Sequence, residues 1–226
     1  ERNLRMRIYY WEHLHDDQVI EDLWTVGRGI TVSGWGLEPK SHASTEQRGA
    51  WAFDPVVKGP ADLKKLRYPE VTVDEAAART ELETAQELFG DILRIRQDGV
   101  GHVSFHLMAR WTRLRGLDQV MMDMVDEPAM LHEAMAFLEA GYHRLIRRYQ
   151  ELGLLSLNNN NLYHSSGGNG WTDELPQPDF DGTHVRPADM WASAEAQELA
   201  LVSPEMHEEF SLQYERRLLA PFGLNG

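Results

Sequence analysis

Apolar residues recur at helical spacing in two long segments of the chain. The first begins at Pro128, steps by threes and fours to Leu152, and stops at Gly153. This spacing places the apolar side chains on one helix face, and proline is favoured in a first helical turn. The second opens with Ser203-Pro204-Glu205, an N-cap residue followed by a proline and an acid, and continues to about Ala220. Both segments are predicted to be amphipathic helices. The apolar positions of the second are Met206, Phe210, Tyr214 and Leu218.

Short runs of β-branched, aromatic and aliphatic residues alternate with helical patterns. Residues 19–35 carry such a run and end in a Gly-rich turn, and two shorter runs occupy 91–95 and 102–106. A fourth run, Leu154-Leu155-Ser156-Leu157, follows the first helix after a single glycine. Each run is predicted to contain a β-strand.

A third helix is predicted after residue 72. Thr72-Val73-Asp74-Glu75 has the form of a capping box, in which Thr72 accepts from the amide of Glu75 and the Glu75 side chain reaches back. Apolar residues then follow at helical spacing as far as Phe89, and Gly90 supplies a stop. The helix is therefore expected to start at Thr72.

The alternation of strand and helix predicts one α/β domain over residues 1–226. Two architectures compete. A doubly wound sheet usually carries a G-x-G-x-x-G turn, which this sequence lacks. The (β/α)8 TIM-type barrel is therefore favoured. Such a barrel needs about 250 residues, and Phe222-Gly223-Leu224-Asn225-Gly226 resembles the entry to a further strand. We expect an incomplete barrel, truncated at both ends.

Composition narrows the classes of function. The formal net charge of −14 argues against a nucleic-acid-binding protein, because a polyanion is bound by clustered lysine and arginine. An acidic substrate would need a local basic pocket. Without cysteine there is no disulfide and no thiolate metal site in these residues. No apolar run approaches the roughly 20 residues that span a bilayer, and no signal-peptide pattern opens the chain. A cytoplasmic protein without membrane partners is expected.

Two long connections are candidates for functional loops. Residues 38–70 contain six prolines and glycines and no clear periodicity, and residues 158–187 are polar and rich in glycine and proline. Long connections of this kind commonly carry binding and catalytic residues.

Four stretches, taken in order, resemble the uroporphyrinogen decarboxylase superfamily. The most specific is Gln197 to Phe210, which is similar to the family pattern Gln-x-x-x-x-Ile-Ser-Pro-Glu-Met-x-x-x-Phe. The other three are 54–66, with its Pro-x-Asp-Leu-x-x-Leu pattern, 104–117, and the helix from Pro128 leading into strand 154–157. Together they cover most of the chain.

The resemblance implies a barrel enzyme that either transfers methyl groups to or from corrinoid proteins or decarboxylates a porphyrinogen. The sequence departs from the family where acidic residues usually precede the glutamine, because Ala192 and Ser193 stand there and Glu195 is the nearest acid. The arginine-rich motif of the decarboxylase would lie before Glu1. The resemblance also implies zinc in the methyltransferases, with Cys and His ligands that would follow Gly226.

Residues near the predicted strand ends are the candidate site. His164 and Glu195 are the candidate catalytic residues, since histidine titrates near neutrality and Glu195 is suited to be a base, a proton donor or a metal neighbour. The structural alternative is that both residues are ordinary surface groups without a catalytic role. His102 and His106 lie about 13 Å apart on a strand and are not expected to share a metal. The candidate substrate-binding residues are Trp35, His106, Asn158, Asn160, Trp191 and Gln197.

Each of the binding candidates has a structural alternative. Tryptophans on loops often serve in packing, and asparagines are common in turns. If the site interpretation holds, Trp35, His106, Asn158, His164 and Gln197 face one shared cavity.

Three functions remain open from the sequence. Methyl transfer involving a corrinoid protein or related carrier leads, because the acidic chain, with a net charge of −14, suits a neutral methyl donor better than an octacarboxylate. Cofactor-free decarboxylation of a porphyrinogen is the alternative, and a non-catalytic binding protein is the third. No metal-ligand set is identifiable within these residues, and a small-molecule substrate is expected.

Overall fold

The structure is a computed structural model, and it describes residues 2–14, 19–43, 52–160, 162–163 and 169–226. His164 lies outside the described residues, so its predicted role is not addressed by the structure. Among the described residues, no helix has both the length and the apolar character that crossing a membrane requires.

Seven α-helices occur in the described part of the chain. In order they are α1 (Arg2–His13), α2 (Glu75–Phe89), α3 (Leu107–Arg115), α4 (Leu117–Asp126), α5 (Pro128–Glu151), α6 (Pro204–His207) and α7 (Gln213–Leu219). Short 3-10 segments cover Pro60–Lys65, Pro187–Asp189 and Gln197–Leu199.

The strands are short and form small sheets. They are β1 (Leu23–Gly27), β2 (Ile30–Val32), β3 (Ser41–His42), β4 (Ala52–Phe53), β5 (Val71–Val73), β6 (Arg94–Asp98), β7 (Ser104–Phe105), β8 (Leu162–Tyr163), β9 (Asn169–Gly170), β10 (Trp191–Ala194) and β11 (Leu224–Asn225). β1 pairs in parallel with β6, and β10 lies between β7 and β11, parallel to both. The pairs β2–β5, β3–β4 and β8–β9 are antiparallel.

The prediction of a (β/α)8 barrel, even an incomplete one, is wrong. In the described residues the largest sheet has three strands, and three of the strand pairs are antiparallel, whereas barrel strands are all parallel. The predicted strand 154–157 is represented, as far as the structure describes the chain, by a single β-bridge between Leu155 and Val100. The chain is instead a mixture of helices and small sheets that is partly of the α/β type. Periodicity indicates which segments favour extended backbone, but it does not specify which of them pair or whether their ladders join.

The core is built around α5. Four of its apolar positions predicted by the spacing are buried, whereas the other three predicted positions, Tyr142, Tyr149 and Leu152, are only partly buried. The buried residues of α5 are Met130, Leu131, Ala134, Met135, Leu138, Gly141 and Leu145. Helix α3 packs on the same core, and Leu107, Met108 and Trp111 have no measurable exposure. A buried ion pair joins α3 to α4, with Arg115 Nε and Nη2 each 2.7 Å from a carboxylate oxygen of Asp123.

The N-terminus of α2 differs from the predicted capping box. Thr72 lies in β5, where it pairs with Thr31 of β2, so the backbone at Thr72 is extended. Asp74 is the N-cap, and its carboxylate accepts a hydrogen bond from the amide of Ala77. The sheet pairing of residues 71–73 outcompetes the local capping pattern and delays the helix by two residues.

The C-terminal helix begins as the sequence predicts. Ser203 Oγ accepts a hydrogen bond from the amide of Met206, and Pro204 occupies the first helical position. After α6 the backbone continues through a π-helical segment, Glu208–Leu212, before α7. Phe210, Tyr214 and Leu218 are buried against α5 and its neighbours.

Candidate functional site

The structure brings together two of the predicted site residues, His106 and Glu195. His106 follows β7 directly and forms the N-cap of α3, and Glu195 follows β10 directly. Because β7 and β10 are parallel neighbours, with Ala194 opposite Phe105, the residues after them meet at the same sheet edge. His106 Nδ1 lies 3.2 Å from Glu195 Oε1. Both side chains are accessible, at 36% and 43% exposure.

Two serines extend this pair into a four-residue cluster. Ser104 Oγ lies 2.8 Å from His106 Nε2, and Ser193 Oγ donates a hydrogen bond of 2.9 Å to Ser104 Oγ. Ser104 and His106 are two residues apart on an extended chain, so their side chains project on the same side. Ser193 stands opposite Ser104 in the ladder. We call Ser104, His106, Ser193 and Glu195 the polar cluster.

One tautomer of His106 suits every contact in the polar cluster. With the proton on Nδ1, that nitrogen faces the Glu195 carboxylate, which only accepts hydrogen bonds when it is ionised. His106 Nε2 then accepts the Ser104 hydroxyl proton, while Ser104 Oγ accepts from Ser193. In this tautomer His106 is placed as a base on the Ser104 side.

Sequence reasoning missed both serines. Their signal is the two-residue alternation in Ser104-Phe105-His106, where Phe105 is buried and its neighbours face away from it. The equivalent alternation in Ser193-Ala194-Glu195 gives the second half of the polar cluster. Only the pairing of β7 with β10 shows that the two halves meet.

Trp35 lies in the hydrophobic core. Its indole ring is 4% exposed and packs edge-on and tilted against Phe137 and Tyr142 of α5. The Arg110 guanidinium lies 5.2 Å from the ring centroid. The structure thus gives Trp35 the packing role that was its structural alternative.

Asn158 and Trp191 form a structural bridge. The buried Asn158 amide donates to the carbonyls of Gly101 and Trp191 at 2.8 and 2.7 Å, and Asn158 Oδ1 accepts from the Trp191 amide at 3.0 Å. The indole nitrogen of Trp191 donates to the Asn158 carbonyl at 3.0 Å. The side chain of Asn158 therefore joins two segments as a strand backbone would.

The remaining binding candidates are on the surface. Asn160 is exposed, and Gln197 is exposed at the start of the 3-10 turn Gln197–Leu199, where its carbonyl accepts from the amide of Ala200 at 3.2 Å. Gln197 lies two residues beyond Glu195, which keeps it near the polar cluster along the chain. The predicted shared cavity for Trp35, His106, Asn158, His164 and Gln197 remains a prediction.

The described residues do not by themselves fit a zinc site. Across the part of the chain that the structure describes, no group of three or more His, Cys, Asp or Glu side chains is arranged to hold a metal ion. His106 and Glu195 are two potential ligands, whereas zinc sites use three or four protein ligands.

A second group of polar residues is buried beneath the C-terminal helix. Burial raises the pKa of Glu215 to about 7, the nearby Glu198 adds to this rise and Ser211 opposes it. Within the described residues, Glu215 Oε1 and Glu198 Oε2 are buried and make no hydrogen bond. Sequence reasoning placed no function on Glu215, because its position in a helix pattern predicts a surface acid.

Several arginines are paired with carboxylates away from the polar cluster. Arg115 binds the buried Asp123, Arg186 binds both Asp179 and Asp189, and Arg217 binds Glu139. These pairs hold α3 to α4, the 179–189 loop to itself and α7 to α5. These arginine charges are therefore paired within the protein and stabilise contacts between its segments.

Comparisons of the chain with known protein families, with curated proteins and with solved structures give no match.

Proposed function

We propose that this chain is part of an enzyme that transfers a methyl group to or from a corrinoid protein or a related carrier, with the polar cluster at its reaction site. The observation that supports a catalytic role is the 3.2 Å approach of His106 Nδ1 to Glu195 Oε1 at the ends of two parallel strands. A histidine held by a carboxylate and open to solvent is a common acid–base group.

The chemistry of methyl transfer gives His106 a definite task. When a methyl group leaves an oxygen, nitrogen or sulfur atom, the leaving atom gains an electron pair and is stabilised by a proton. When a thiol accepts a methyl group, it must first lose its proton. An imidazole can perform either step as a general acid or a general base, and the Glu195 carboxylate faces the His106 ring.

Charge favours a neutral donor over a porphyrinogen with many carboxylates. Such a substrate requires several cations at its site. The polar cluster is made of hydroxyl, imidazole and carboxylate groups. Arg115, Arg186 and Arg217 are engaged by protein carboxylates, and the Arg110 guanidinium lies over the Trp35 ring. A second support is the sequence resemblance, whose Ser-Pro-Glu segment forms the capped helix that the pattern predicts.

The test uses the intact protein with cob(I)alamin as the methyl acceptor and a panel of neutral donors: methanol, methylamines, methoxyaromatics and methyl thioethers. Formation of methylcobalamin is followed by its visible absorbance. We expect turnover with at least one donor and a fall of about 100-fold or more in His106→Ala, the usual contribution of an acid–base group. Glu195→Gln is expected to cost less, because the imidazole remains.

His184→Ala is the matched control, because His184 also pairs with a carboxylate, Asp181, at 2.7 Å but on an exposed loop. It should leave turnover unchanged. Release of carbon dioxide from a porphyrinogen, without methylcobalamin formation, would refute methyl transfer in favour of decarboxylation. Ligand binding without either reaction would indicate a non-catalytic binding protein.

A further inference from the structure

Ser104, His106 and Glu195 stand in the order that activates a serine. Ser104 Oγ is 2.8 Å from His106 Nε2, and the opposite ring nitrogen is 3.2 Å from Glu195 Oε1. A nucleophile within hydrogen-bonding distance of a base, with the base oriented by a third group, is the structural pattern of nucleophilic catalysis. The pattern is recognised by geometry and not by the order of residues in a sequence.

The local backbone explains how two short segments supply this geometry. Strand alternation aligns Ser104 with His106, and the parallel ladder between β7 and β10 delivers Glu195 to the far side of the ring. Ser193 Oγ donates to Ser104 Oγ, which leaves the Ser104 proton free to point at His106. With the His106 proton on Nδ1, the proton that must leave Ser104 on nucleophilic attack points at its acceptor, His106 Nε2.

Helix α3 supports the same chemistry. Its first internal hydrogen bond runs from the Arg110 amide to the His106 carbonyl at 3.1 Å, so the amides of residues 107–109 come before the helical ladder. A helix N-terminus carries partial positive charge, which stabilises negative charge developing beside it. Ser104 is two residues from this N-terminus.

We propose that Ser104 is a nucleophile that accepts an acyl group from uncharged carboxylic esters, which gives the protein a hydrolytic activity. Uncharged esters are favoured because Glu195 and the net charge of −14 repel anions. The inference requires only the polar cluster and does not rest on methyl transfer.

The reaction balances without a cofactor. Ser104 Oγ bonds to the carbonyl carbon as its proton passes to His106 Nε2, and the carbon–oxygen bond to the alcohol breaks as that proton passes to the leaving oxygen. Water then attacks the acyl-serine, giving one proton to His106. The bond to Ser104 breaks, Ser104 regains the proton, and the carboxylic acid leaves.

The first test is covalent labelling of the intact protein with a fluorophosphonate, with the adduct located by peptide mass spectrometry. We expect the adduct on Ser104, no adduct in Ser104→Ala, and labelling slowed about 100-fold in His106→Asn. His184→Ala should label at the rate of the unmodified protein. Hydrolysis of p-nitrophenyl acetate should follow the same order. An unlabelled Ser104, or labelling that ignores His106, overturns the proposal.

A second variant keeps the test decisive if Ser104→Ala fails to fold. These 226 residues contain no cysteine, so Ser104→Cys introduces a thiol whose alkylation by iodoacetamide can be assigned by mass spectrometry. An activating histidine lowers the pKa of a thiol below its usual value. We expect alkylation at pH 6.5 about tenfold faster than in Ser104→Cys combined with His106→Asn. Equal rates would overturn the proposal.

The two proposals fail separately. A protein that forms methylcobalamin but leaves Ser104 unlabelled refutes the nucleophile and retains methyl transfer. A labelled Ser104 in a protein that does not transfer methyl groups gives the opposite result.

Discussion

Gly141 of helix α5 lies against the indole ring of Trp35. A methyl group at position 141 would approach ring atom Cη2 to 2.6 Å, well inside van der Waals contact. The ring has little room to retreat, because Phe137 and Tyr142 contact it as well. The absence of a side chain at this one helical position is therefore what admits the tryptophan to the core.

Gly141→Ala should lower the free energy of unfolding by about 2 kcal/mol, because overpacking a rigid core outweighs the roughly 1 kcal/mol that alanine gains in a helix. Urea denaturation measures the change. Gly27→Ala is the control, since no atom lies within 4 Å of the added carbon. In the Trp35→Leu background the penalty should shrink, and an undiminished penalty there would contradict the packing explanation.

Neutralising one partner of the Arg115–Asp123 ion pair should strongly lower the free energy of unfolding. Asp123 is fully buried, and although burial opposes its ionisation, hydrogen bonds from Arg115 and Gln119 lower its pKa. Asp123→Asn leaves a buried guanidinium without its countercharge, and we expect a loss of about 3–5 kcal/mol in unfolding free energy. The exposed Asp126→Asn should change stability by less than about 0.5 kcal/mol. Equal effects would contradict the buried charge pair.

Glu215 should make stability depend on pH. Its pKa is raised from 4.5 to about 7 in the folded protein, so the folded state holds the proton more tightly than the unfolded chain. The contribution of Glu215 to the free energy of unfolding is therefore fully present below pH 4.5 and is lost as the pH rises through 7. The loss is about 3 kcal/mol, at 1.36 kcal/mol for each unit of the pKa shift.

Glu215→Gln should remove this decline and raise the melting temperature at pH 8 relative to the unmodified protein. Thermal unfolding between pH 5 and pH 9 provides the comparison, with Glu83→Gln on the exposed face of α2 as the control. If stability still declined with rising pH in Glu215→Gln, another titrating group would be responsible for the decline.

Asn158→Asp tests the side-chain bridge to β10. The change replaces a donor that serves the carbonyls of Gly101 and Trp191 with a carboxylate oxygen that repels them. We expect a loss of at least about 3 kcal/mol in unfolding free energy at pH 7. Asn160→Asp, on an exposed residue two positions away, should be close to neutral. A substrate-binding role without a structural one would instead leave stability unchanged.

The sequence predicts those elements whose stability is local. Helix α5 begins at Pro128 as its pattern requires, and the Ser203 cap forms as predicted. Helices α3 and α4 were not predicted, although each buries one face at helical spacing: residues 107, 108, 111, 114 and 115 in α3, and residues 120, 123 and 124 in α4. The barrel prediction was wrong because strand ladders depend on pairing between distant segments, which periodicity does not encode.

The site was predictable to a similar extent. The position of His106 and Glu195 after strands follows from sequence, and their contact follows from the parallel register of β7 and β10. Asparagine and tryptophan are residue types that often bind ligands, yet Asn158 and Trp35 are both buried and make contacts within the protein. Residue type alone does not distinguish a group that binds a ligand from one that bridges two segments.

The π-helical segment at Glu208–Leu212 sets the rotational phase of the final helix. In a regular α-helix a four-residue step overshoots one turn by about 40°, so a row of residues spaced by fours winds away from the core. The wider π turn absorbs this excess, and Phe210, Tyr214 and Leu218 stay aligned and buried. Deleting one residue from the segment would rotate everything beyond it by about 100°, exposing Tyr214 and Leu218 while leaving the composition of the helix almost unchanged.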